Sequence, residues 1–399
     1  MNRRDLLKAL AATAPLVVAG RAYAAPQAAG RLLVVFLRGA YDAANIVVPI
    51  SSDFYYQARP TLAIPRPNAG DPKAALSLNA DWGLHPALKD SILPLYRKGQ
   101  LAFVPFCGTD DVSRSHFETQ DTIELGQPVG GSRDYGSGFM GRLASQLGGV
   151  KPFAFTDQLP LIMRGGPLTP NTGLTIVKKS NLNARQTSLI QSMYQGKGDN
   201  AELAPQVAQG FAVRNEVYQK FSVEMTQASR GAASPKGFEL SAQRIGELMN
   251  GGYNLAFVDV GGWDTHINQG GVEGYLPNLV GQLGRGLAAY AQACGPAWNK
   301  TVVVVVSEFG RTFRENGDRG TDHGHGSVYW VLGGGVKGGR LAGDQVKVAQ
   351  STLFQDRDYP VLNDYRAVMG GIFDGMYGLG PQRLQTVFPG AKPKSLALV

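Results

Sequence analysis

The sequence predicts an α/β protein with a central, mostly parallel sheet and a partly helical insertion. Several apolar runs show no alternation between apolar and polar residues, which is typical of strands buried on both faces. These runs lead into glycine-rich polar loops, and glycine accounts for 52 of the 399 residues. Segments with helical spacing of their apolar residues separate the runs. Together the three observations indicate the α/β class, and the length of the chain allows one large α/β domain or two smaller ones.

Residues 1–24 are predicted to be an export signal outside the fold. Arg3 and Arg4 form a twin-arginine core, an alanine-rich apolar stretch follows, and a small-residue site places cleavage after Ala24. An ordinary secretory signal or a short anchor is the alternative, although a good membrane span needs about 20 apolar residues. We therefore expect a periplasmic protein that uses the twin-arginine export machinery and makes no stable membrane insertion.

Charge and cysteine content exclude two classes of protein. Removal of residues 1–24 takes away four basic residues and one acidic residue, so the formal net charge falls from +8 to +5. Because lysine and arginine form no clustered run, this balance fits a small anionic substrate and not nucleic acid. Two cysteines, Cys107 and Cys294, exclude a disulfide framework, and we expect two separate buried thiols.

The apolar run Arg31–Leu37 predicts a strand with a candidate metal ligand just beyond its end. Asp42 follows this run in the loop. Chemistry in open α/β sheets collects at the carboxyl ends of strands, where Asp42 stands. A helix N-cap or turn aspartate explains the same residue equally well.

The apolar run Leu101–Phe106 leads into a loop with hydroxyl groups, an arginine and a histidine. In this loop Ser113 is the candidate nucleophile and Arg114 the candidate oxyanion-binding residue, and His116 is a further catalytic candidate. A helix-capping serine followed by an exposed arginine is the alternative interpretation.

The run Asn254–Val260 predicts another strand, and Asp264 and His266 follow it. A carboxylate and an imidazole two residues apart can both turn onto one cation, since both suit borderline metals. A turn aspartate beside a hydrogen-bonded histidine is the alternative.

Five consecutive valines, Val302–Val306, predict the most central strand, with Glu308 and Arg311 directly after it. A glycine-rich loop with Asp322 and His323 then leads to a further apolar run, Val328–Leu332. The site is therefore expected where this strand ends.

Helical spacing predicts four helices and an excursion between the strands. The excursion covers 152–237 and reads as a helical insertion or a lid. The predicted helices are Leu84 to about Lys98, opened by His85 in a capping or packing role, then Phe238–Met249, Leu276–Ala293 and Asp364–Tyr377.

Four of the five histidines lie in loops after predicted strands, each with an acid within about six residues. This pattern predicts a site for one or two divalent ions such as zinc, manganese or calcium. Arg38, Arg114 and Arg311 are candidates to hold the oxygens of phosphate or sulfate. The candidate metal ligands are Asp42, Asp264, His266, Glu308, Asp322 and His323.

The sequence combines the twin-arginine leader with the motifs LRGAYDAAN, SRSHFETQ, GGWDTHINQ, SEFGRT and DHGHGSVYWVLGGGVKGG. In this combination it resembles an exported bacterial family catalogued as domain of unknown function 1501. That family is similar in architecture to the alkaline phosphatase and sulfatase superfamily. Because the resemblance covers essentially the whole mature chain, it implies a single domain over 25–399. It also implies a three-layer alkaline-phosphatase-like sandwich with a metal site at the edge of the sheet.

The resemblance also assigns roles to individual residues. Asp42 matches the superfamily's first-strand aspartate ligand, and Glu308 matches the aspartate of its Asp-His pair. His266 and His323 match two histidine ligands.

The sequence departs from the superfamily pattern at three positions. Phe309 replaces the histidine of the Asp-His pair, and phenylalanine cannot bind metal. Gly262 stands where an aspartate is expected. The nucleophile register falls on Val112, with Ser113 one residue away.

These observations lead to two functional hypotheses. The first is an exported metal-dependent hydrolase of phosphate or sulfate esters. The second is a non-catalytic protein of the same fold that binds an anion or a protein partner in the periplasm. A third class is a surface-assembly or scaffold protein. This class predicts that chelators leave the protein unaffected.

Overall fold

A computed structural model describes residues 26–173 and 237–399, with positions 189–190, 192–193, 205, 207–209 and 212 between them. The predicted signal at 1–24 and most of the predicted insertion at 152–237 lie outside the described residues. Within the described ranges, no helix is both long enough and apolar enough to cross a membrane.

The α/β fold class is confirmed, because a mostly parallel eight-stranded sheet lies between two layers of helices. The strands are β1 (Arg31–Leu37), β2 (Val47–Val48), β3 (Leu76–Ser77), β4 (Gly83–Leu84), β5 (Leu101–Gly108), β6 (Pro152–Ala154), β7 (Leu255–Val260), β8 (Thr301–Ser307), β9 (Ser327–Leu332), β10 (Arg340–Leu341) and β11 (Asn363–Asp364). The order of the main sheet is β10-β5-β9-β8-β1-β7-β6, with β11 also paired to β5, and β2, β4 and β3 form a small second sheet.

The central strands explain why the predicted runs do not alternate. β1 pairs in parallel with β7 on one side and with β8 on the other. Along β1, Leu33 and Val35 pack into one hydrophobic cluster, whereas Leu32 and Val34 pack into the cluster on the opposite face. Every position therefore requires an apolar side chain.

β9 is antiparallel to both of its neighbours, β5 and β8. Its amino end therefore lies at the same edge of the sheet as the carboxyl ends of β1, β5, β7 and β8. This reversal brings the loop before β9 to the edge where a site is expected.

Helices cover both faces of the sheet. The helices are α1 (Asp53–Ala58), α2 (Ile92–Arg97), α3 (His116–Leu125), α4 (Phe139–Ser145), α5 (Phe238–Asn250), α6 (Tyr275–Cys294), α7 (Tyr365–Tyr377) and α8 (Gly380–Val387). On one face lie α2, α5 and α6, and on the other lie α4, α7 and α8. Short 3-10 helices span Ala43–Asn45, Pro86–Leu88, Leu161–Met163, Gly295–Lys300 and Gln350–Thr352.

Three predicted helices are confirmed as α5, α6 and α7, but the prediction of one continuous helix up to Lys98 is wrong. The segment divides into the 3-10 turn Pro86–Leu88 and the short helix α2. Pro94 lies in the first turn of α2, the position that tolerates a residue without a backbone N–H. His85 caps the 3-10 turn by accepting a hydrogen bond from Ala87 N, as the capping interpretation requires.

Both cysteines are buried free thiols, so this expectation is confirmed. Cys107 lies in β5 and Cys294 ends α6. Burial raises the pKa of each thiol above its usual value, which keeps both protonated and unreactive.

A buried arginine anchors the loop after β1. Arg59 has no exposed surface, and it donates to both carboxylate oxygens of Asp42 at 2.5 and 3.0 Å. It also donates to the side chain of Asn45 and to the carbonyls of Thr312 and Phe313. Every N–H of the guanidinium group thus meets an oxygen, which is the condition for burying this charge.

We expect Arg59→Met to lower the free energy of unfolding by about 3–5 kcal/mol, because it leaves Asp42 buried without a cation. Chemical denaturation followed by circular dichroism measures this. The double variant Asp42→Leu/Arg59→Met should recover much of the loss, since apolar residues can replace a buried ion pair.

The matched control is Arg66→Gln. Arg66 pairs with Asp53 at the surface, where the two side chains are 49% and 84% exposed. Its loss should change the free energy of unfolding by less than about 1 kcal/mol. Equal effects of the two arginine substitutions would contradict the anchoring role of Arg59.

Candidate metal centre

Several loops meet where β1, β5, β7 and β8 end and β9 begins. Asp264 and His266 follow β7, His116 begins α3 beyond β5, and His323 precedes β9. Glycine allows the backbones to approach: Gly39 has a φ of 115°, and a Cβ there would lie 2.6 Å from the Asp264 nitrogen. The edge therefore gathers residues that are remote from one another in sequence.

Three imidazoles surround the carboxylate of Asp264, and we call His116, Asp264, His266 and His323 the three-histidine cluster. Nε2 of His266 lies 3.0 Å and Nε2 of His323 lies 3.5 Å from Oδ1 of Asp264. Nε2 of His116 lies 3.5 Å from Oδ2. The Nε2 atoms of His266 and His323 are 3.1 Å apart. All three rings thus turn the same nitrogen toward one carboxylate.

The other nitrogen of each ring has an acceptor outside the cluster. An acceptor at Nδ1 favours the tautomer with its proton there, which leaves the lone pair of Nε2 facing inward. This is the usual arrangement around metal-bound histidines. The acceptors are Glu308 Oε1 for His116 at 2.8 Å, Asp322 Oδ1 for His266 at 3.0 Å and the Arg114 carbonyl for His323 at 2.9 Å.

The cluster fits a divalent transition-metal ion. In a tetrahedral zinc site with Zn–N distances of about 2.0–2.1 Å, neighbouring ligand atoms lie about 3.3 Å apart. The contacts quoted above, of the imidazoles with the carboxylate and of His266 with His323, are 3.0–3.5 Å long. Nε2 of His116 is buried and has no hydrogen-bond partner among the described residues. The group whose ligand atoms all lie within 4.8 Å of one another consists of His116, Asp264 and His323, and His266 contacts the last two of these.

Arg311 keeps Asp264 ionised and oriented. Its side chain is buried, and Nη1 donates to Oδ1 of Asp264 at 2.6 Å, while Nε donates to Thr321 Oγ1 at 3.2 Å. Burial alone would raise the pKa of Asp264, but Arg311 outweighs it and the pKa lies below its usual value. The carboxylate is therefore negative at neutral pH.

Glu308 is fully buried behind His116. Besides His116, it accepts hydrogen bonds from Gln120 Nε2 at 3.0 Å, from Gly39 N at 2.8 Å and from Ser307 Oγ at 2.9 Å. Burial would raise the pKa of Glu308, but these hydrogen bonds lower it below its usual value. The hydrogen bond to Glu308 raises the pKa of His116, although burial opposes this shift.

His323 is in a different electrostatic state from His116. Burial lowers the pKa of His323 below its usual value, and the nearby positive charges of His116 and Arg311 lower it further. A neutral imidazole at neutral pH is the form that binds a metal ion.

The cluster has one apolar side and one solvent side. Phe309 is buried and stacks on His116 with ring centroids 5.1 Å apart, and it lies 5.3 Å from the ring of His323. The side chains of Asp264 and His266 are 45% and 38% exposed. A ligand or water can therefore reach the cluster from the side of these two residues.

The structure sorts the six sequence-predicted metal ligands into three groups. Asp264, His266 and His323 lie in the cluster. Glu308 and Asp322 lie behind it and hold imidazole nitrogens. The carboxylate of Asp42 is bound by Arg59 and also accepts from Gln269 at 2.6 Å, so the structure does not bring it to the cluster.

The catalytic candidates are also separated. His116 lies in the cluster, where its Nε2 faces Asp264 as those of His266 and His323 do. Ser113 turns its hydroxyl toward Thr119 Oγ1 at 3.3 Å, and Ser115 caps α3.

The arginines predicted to hold an anion have other partners. Arg114 directs its guanidinium group to Asp358. Arg38 pairs with Glu124 and Asp259. Arg311 lies at the cluster, where it binds Asp264.

Sequence reasoning missed Gln120 and the role of Arg59. Gln120 lies four residues after His116 on α3, so the i, i+4 spacing was a signal that both face Glu308. No local pattern links Arg59 to Asp42, because they meet through tertiary packing.

The chain is similar to three solved structures at low identity. A protein in the alkaline phosphatase superfamily from Vibrio parahaemolyticus is 13% identical, with 77% of this chain and 62% of that chain covered and a TM-score of 0.31. The lipoteichoic acid synthase LtaP from Listeria monocytogenes is 9% identical, with 90% and 76% covered and a TM-score of 0.38. Ps i-CgsB, solved in complex with k-i-k-neocarrahexaose, is 10% identical, with 91% and 74% covered and a TM-score of 0.36.

Sequence comparison gives a family but no individual relative. Residues 29–388 match the family described as protein of unknown function (DUF1501). No curated protein sequence matches the chain.

We expect the metal-free protein to lose the stabilising contribution of His116 as the pH rises. Because the folded-state pKa of His116 is raised, this contribution is full below about pH 6.5, the unfolded-state pKa, and vanishes above the raised folded-state pKa. The difference in unfolding free energy between wild type and His116→Gln should therefore shrink as the pH rises from about 6.5, the unfolded-state pKa, through the raised folded-state pKa. Urea denaturation with a chelator present measures it.

His325→Gln is the control for this pH series. Burial lowers the pKa of His325. The unfolding free energy of wild type should therefore increase relative to that of His325→Gln as the pH rises. The same trend for both variants would contradict the assignment of the His116–Glu308 pair.

Proposed function

We propose, from the premise that this chain belongs to the DUF1501 family of proteins of unknown function, that it is a metal-dependent hydrolase. It binds one divalent transition-metal ion through His116, Asp264, His266 and His323. It hydrolyses phosphate or sulfate esters at the solvent side of this cluster.

The observation that carries the proposal is the orientation of the three imidazoles. Each ring directs Nε2 toward Asp264 while an acceptor holds Nδ1. Histidines that serve only to pack a core have no need to share one inward nitrogen at separations near 3 Å. A metal ion relieves the repulsion between the Nε2 lone pairs of His266 and His323.

The donor set favours one ion of the zinc type over calcium. Three imidazole nitrogens and one carboxylate suit borderline metals such as zinc, whereas calcium takes six to eight oxygen ligands. Manganese is intermediate, because it accepts both imidazole and carboxylate ligands. The pairing of Asp42 with Arg59 removes the carboxylate that a second ion would use.

The residues around the cluster prepare it for ester hydrolysis. When bound, the ion would act as a Lewis acid that polarises an ester oxygen. Arg311 keeps Asp264 negative, and Glu308 holds the ring of His116 in one orientation. Phe309 keeps water from the side opposite the exposed Asp264.

The anionic ester class rests on the motif resemblance and on the positive net charge, which is +8 for the full sequence and +5 once residues 1–24 are removed. The surface beside the cluster adds an apolar component. Phe117 and Ile267, which directly follow two cluster histidines, are 85% and 65% exposed. Esters with an aryl or alkyl group are therefore the best first substrates.

A non-catalytic binding protein is the second candidate function. It is favoured by the hydroxyl of Ser113, which faces Thr119, and by Val112 at the expected nucleophile position. In this case the cluster binds a metal ion that holds an anionic ligand without cleaving it.

We expect protein purified without chelators to retain about one equivalent of zinc-type metal by mass spectrometry. His323→Ala and Asp264→Ala should each weaken metal binding by more than about 100-fold, since even an outer partner contributes 10–100-fold. His325→Gln is the matched control, because that ring packs against Phe354 outside the cluster. Wild-type protein without metal, with a stability unaffected by chelators, would contradict the proposed centre.

We expect the metal-loaded protein to hydrolyse p-nitrophenyl phosphate or p-nitrophenyl sulfate, and His266→Ala to lose this activity. Absorbance of released p-nitrophenolate measures turnover. Ser113→Ala should retain activity, because the Ser113 hydroxyl contacts Thr119 Oγ1 and is not among the proposed metal ligands. Tight metal binding without turnover of an ester panel would favour the binding protein.

A further inference from the structure

His323 is held differently from the other two histidines of the cluster. Its Nδ1 donates to the backbone carbonyl of Arg114, whereas His116 and His266 use carboxylates. The direction of His323 thus depends on the direction of one peptide group. Arg114 has a φ of 54°, a left-handed conformation that residues other than glycine rarely adopt. Such a conformation persists only where surrounding contacts hold it.

Asp358 makes two of the hydrogen bonds that hold Arg114, and Gln355 Oε1 accepts a third from Nη2 at 2.7 Å. Oδ2 of Asp358 accepts from Nε of Arg114 at 3.0 Å and from Nη2 at 2.7 Å. The Asp358 side chain has no exposed surface, while the Arg114 side chain is 24% exposed. Charge-assisted hydrogen bonds from two guanidinium nitrogens fix the arginine more firmly than a single surface contact.

Asp358 is also joined to the loop that carries His323. Its backbone forms a bridge with Thr312. Thr312 N donates to the carbonyl of Asp322 at 2.8 Å, and Asp322 N donates to Thr312 Oγ1 at 3.0 Å. Asp358 therefore connects the loop before α3 with the loop before β9, the two segments that meet at the His323–Arg114 hydrogen bond.

We propose that Asp358 is a positioning residue of the metal centre. Through its ion pair with Arg114 it fixes the carbonyl that binds Nδ1 of His323, and so directs Nε2 of His323 into the three-histidine cluster. This inference rests on the proposed metal-binding function of the cluster. It adds a residue that the sequence gives no reason to select, because Asp358 is remote from Arg114 along the chain.

The first measurement needs no metal. Two-bond 1H–15N spectra of histidine-labelled, metal-free protein report which nitrogen of each imidazole carries the proton. In wild type, His323 should be protonated at Nδ1, and His323→Gln identifies its signal. In Asp358→Asn, the His323 signal should move toward the Nε2-protonated form, while the signals of the other histidines change little.

The second measurement is the affinity for Co²⁺, followed through its visible absorption. Asp358→Asn should weaken binding by about 10–100-fold, the usual effect of losing an outer partner. The matched control is Asp356→Asn in the same loop, whose carboxylate is 58% exposed and pairs with Arg314. It should leave the Co²⁺ affinity unchanged.

A rescue experiment separates positioning from a general effect on folding. Glycine adopts a positive φ without an anchor, so adding Arg114→Gly to Asp358→Asn should restore part of the Co²⁺ affinity. A double variant that binds no better than Asp358→Asn counts against the proposal. If Asp358→Asn does not fold, Arg114→Lys replaces it, since lysine keeps the charge but cannot donate from two nitrogens.

The positioning proposal and the proposed metal centre can be contradicted independently of each other. A folded Asp358→Asn protein with an unchanged His323 tautomer and unchanged Co²⁺ affinity overturns the positioning proposal. Wild-type protein that binds no Co²⁺ overturns the metal centre instead, and the tautomer spectra still decide whether Asp358 orients His323.

Discussion

The arrangement of the functional edge depends on one buried carboxylate, that of Glu308. It accepts hydrogen bonds from the loop after β1, from the start of α3 and from the end of β8. A buried carboxylate is costly unless such donors surround it, so each segment is held in one position. Glutamate is one methylene longer than aspartate, and this length suits a residue that must reach His116 on a neighbouring helix. The same charge thus fixes the local fold and orients the imidazole.

The charges at this edge form two neighbouring centres with different cations. Around Asp42, the guanidinium group of Arg59 supplies the positive charge from within the chain. Around Asp264, Arg311 supplies part of it, and the ligand atoms of His116, Asp264 and His323 lie close enough together to share an ion. Glu308 and Asp322 accept hydrogen bonds from the Nδ1 atoms of His116 and His266, an arrangement that raises the basicity of an imidazole ligand. The metal centre that we propose therefore needs one ion.

Much of the fold could be predicted from the local sequence, whereas the site could be predicted only in part. Unalternating runs such as Val302–Val306 identify central strands because burial on both faces leaves no polar position. The position of His323 also followed, since residues beyond strand ends meet at one edge. The sequence did not predict that Asp42 pairs with Arg59 or that the Ser113 hydroxyl contacts Thr119. Both contacts depend on packing, which no periodicity records.

Arg59 has a consequence for how the protein depends on its environment. A metal ion in this place would have to be delivered after synthesis, would exchange with competing ions and would be lost to chelators. A guanidinium group is made with the chain and remains charged at every physiological pH. The charge of Asp42 is therefore balanced as soon as the chain folds, whatever the metal supply. The permanence has a chemical cost, because a guanidinium group has no vacant orbital with which to polarise a substrate.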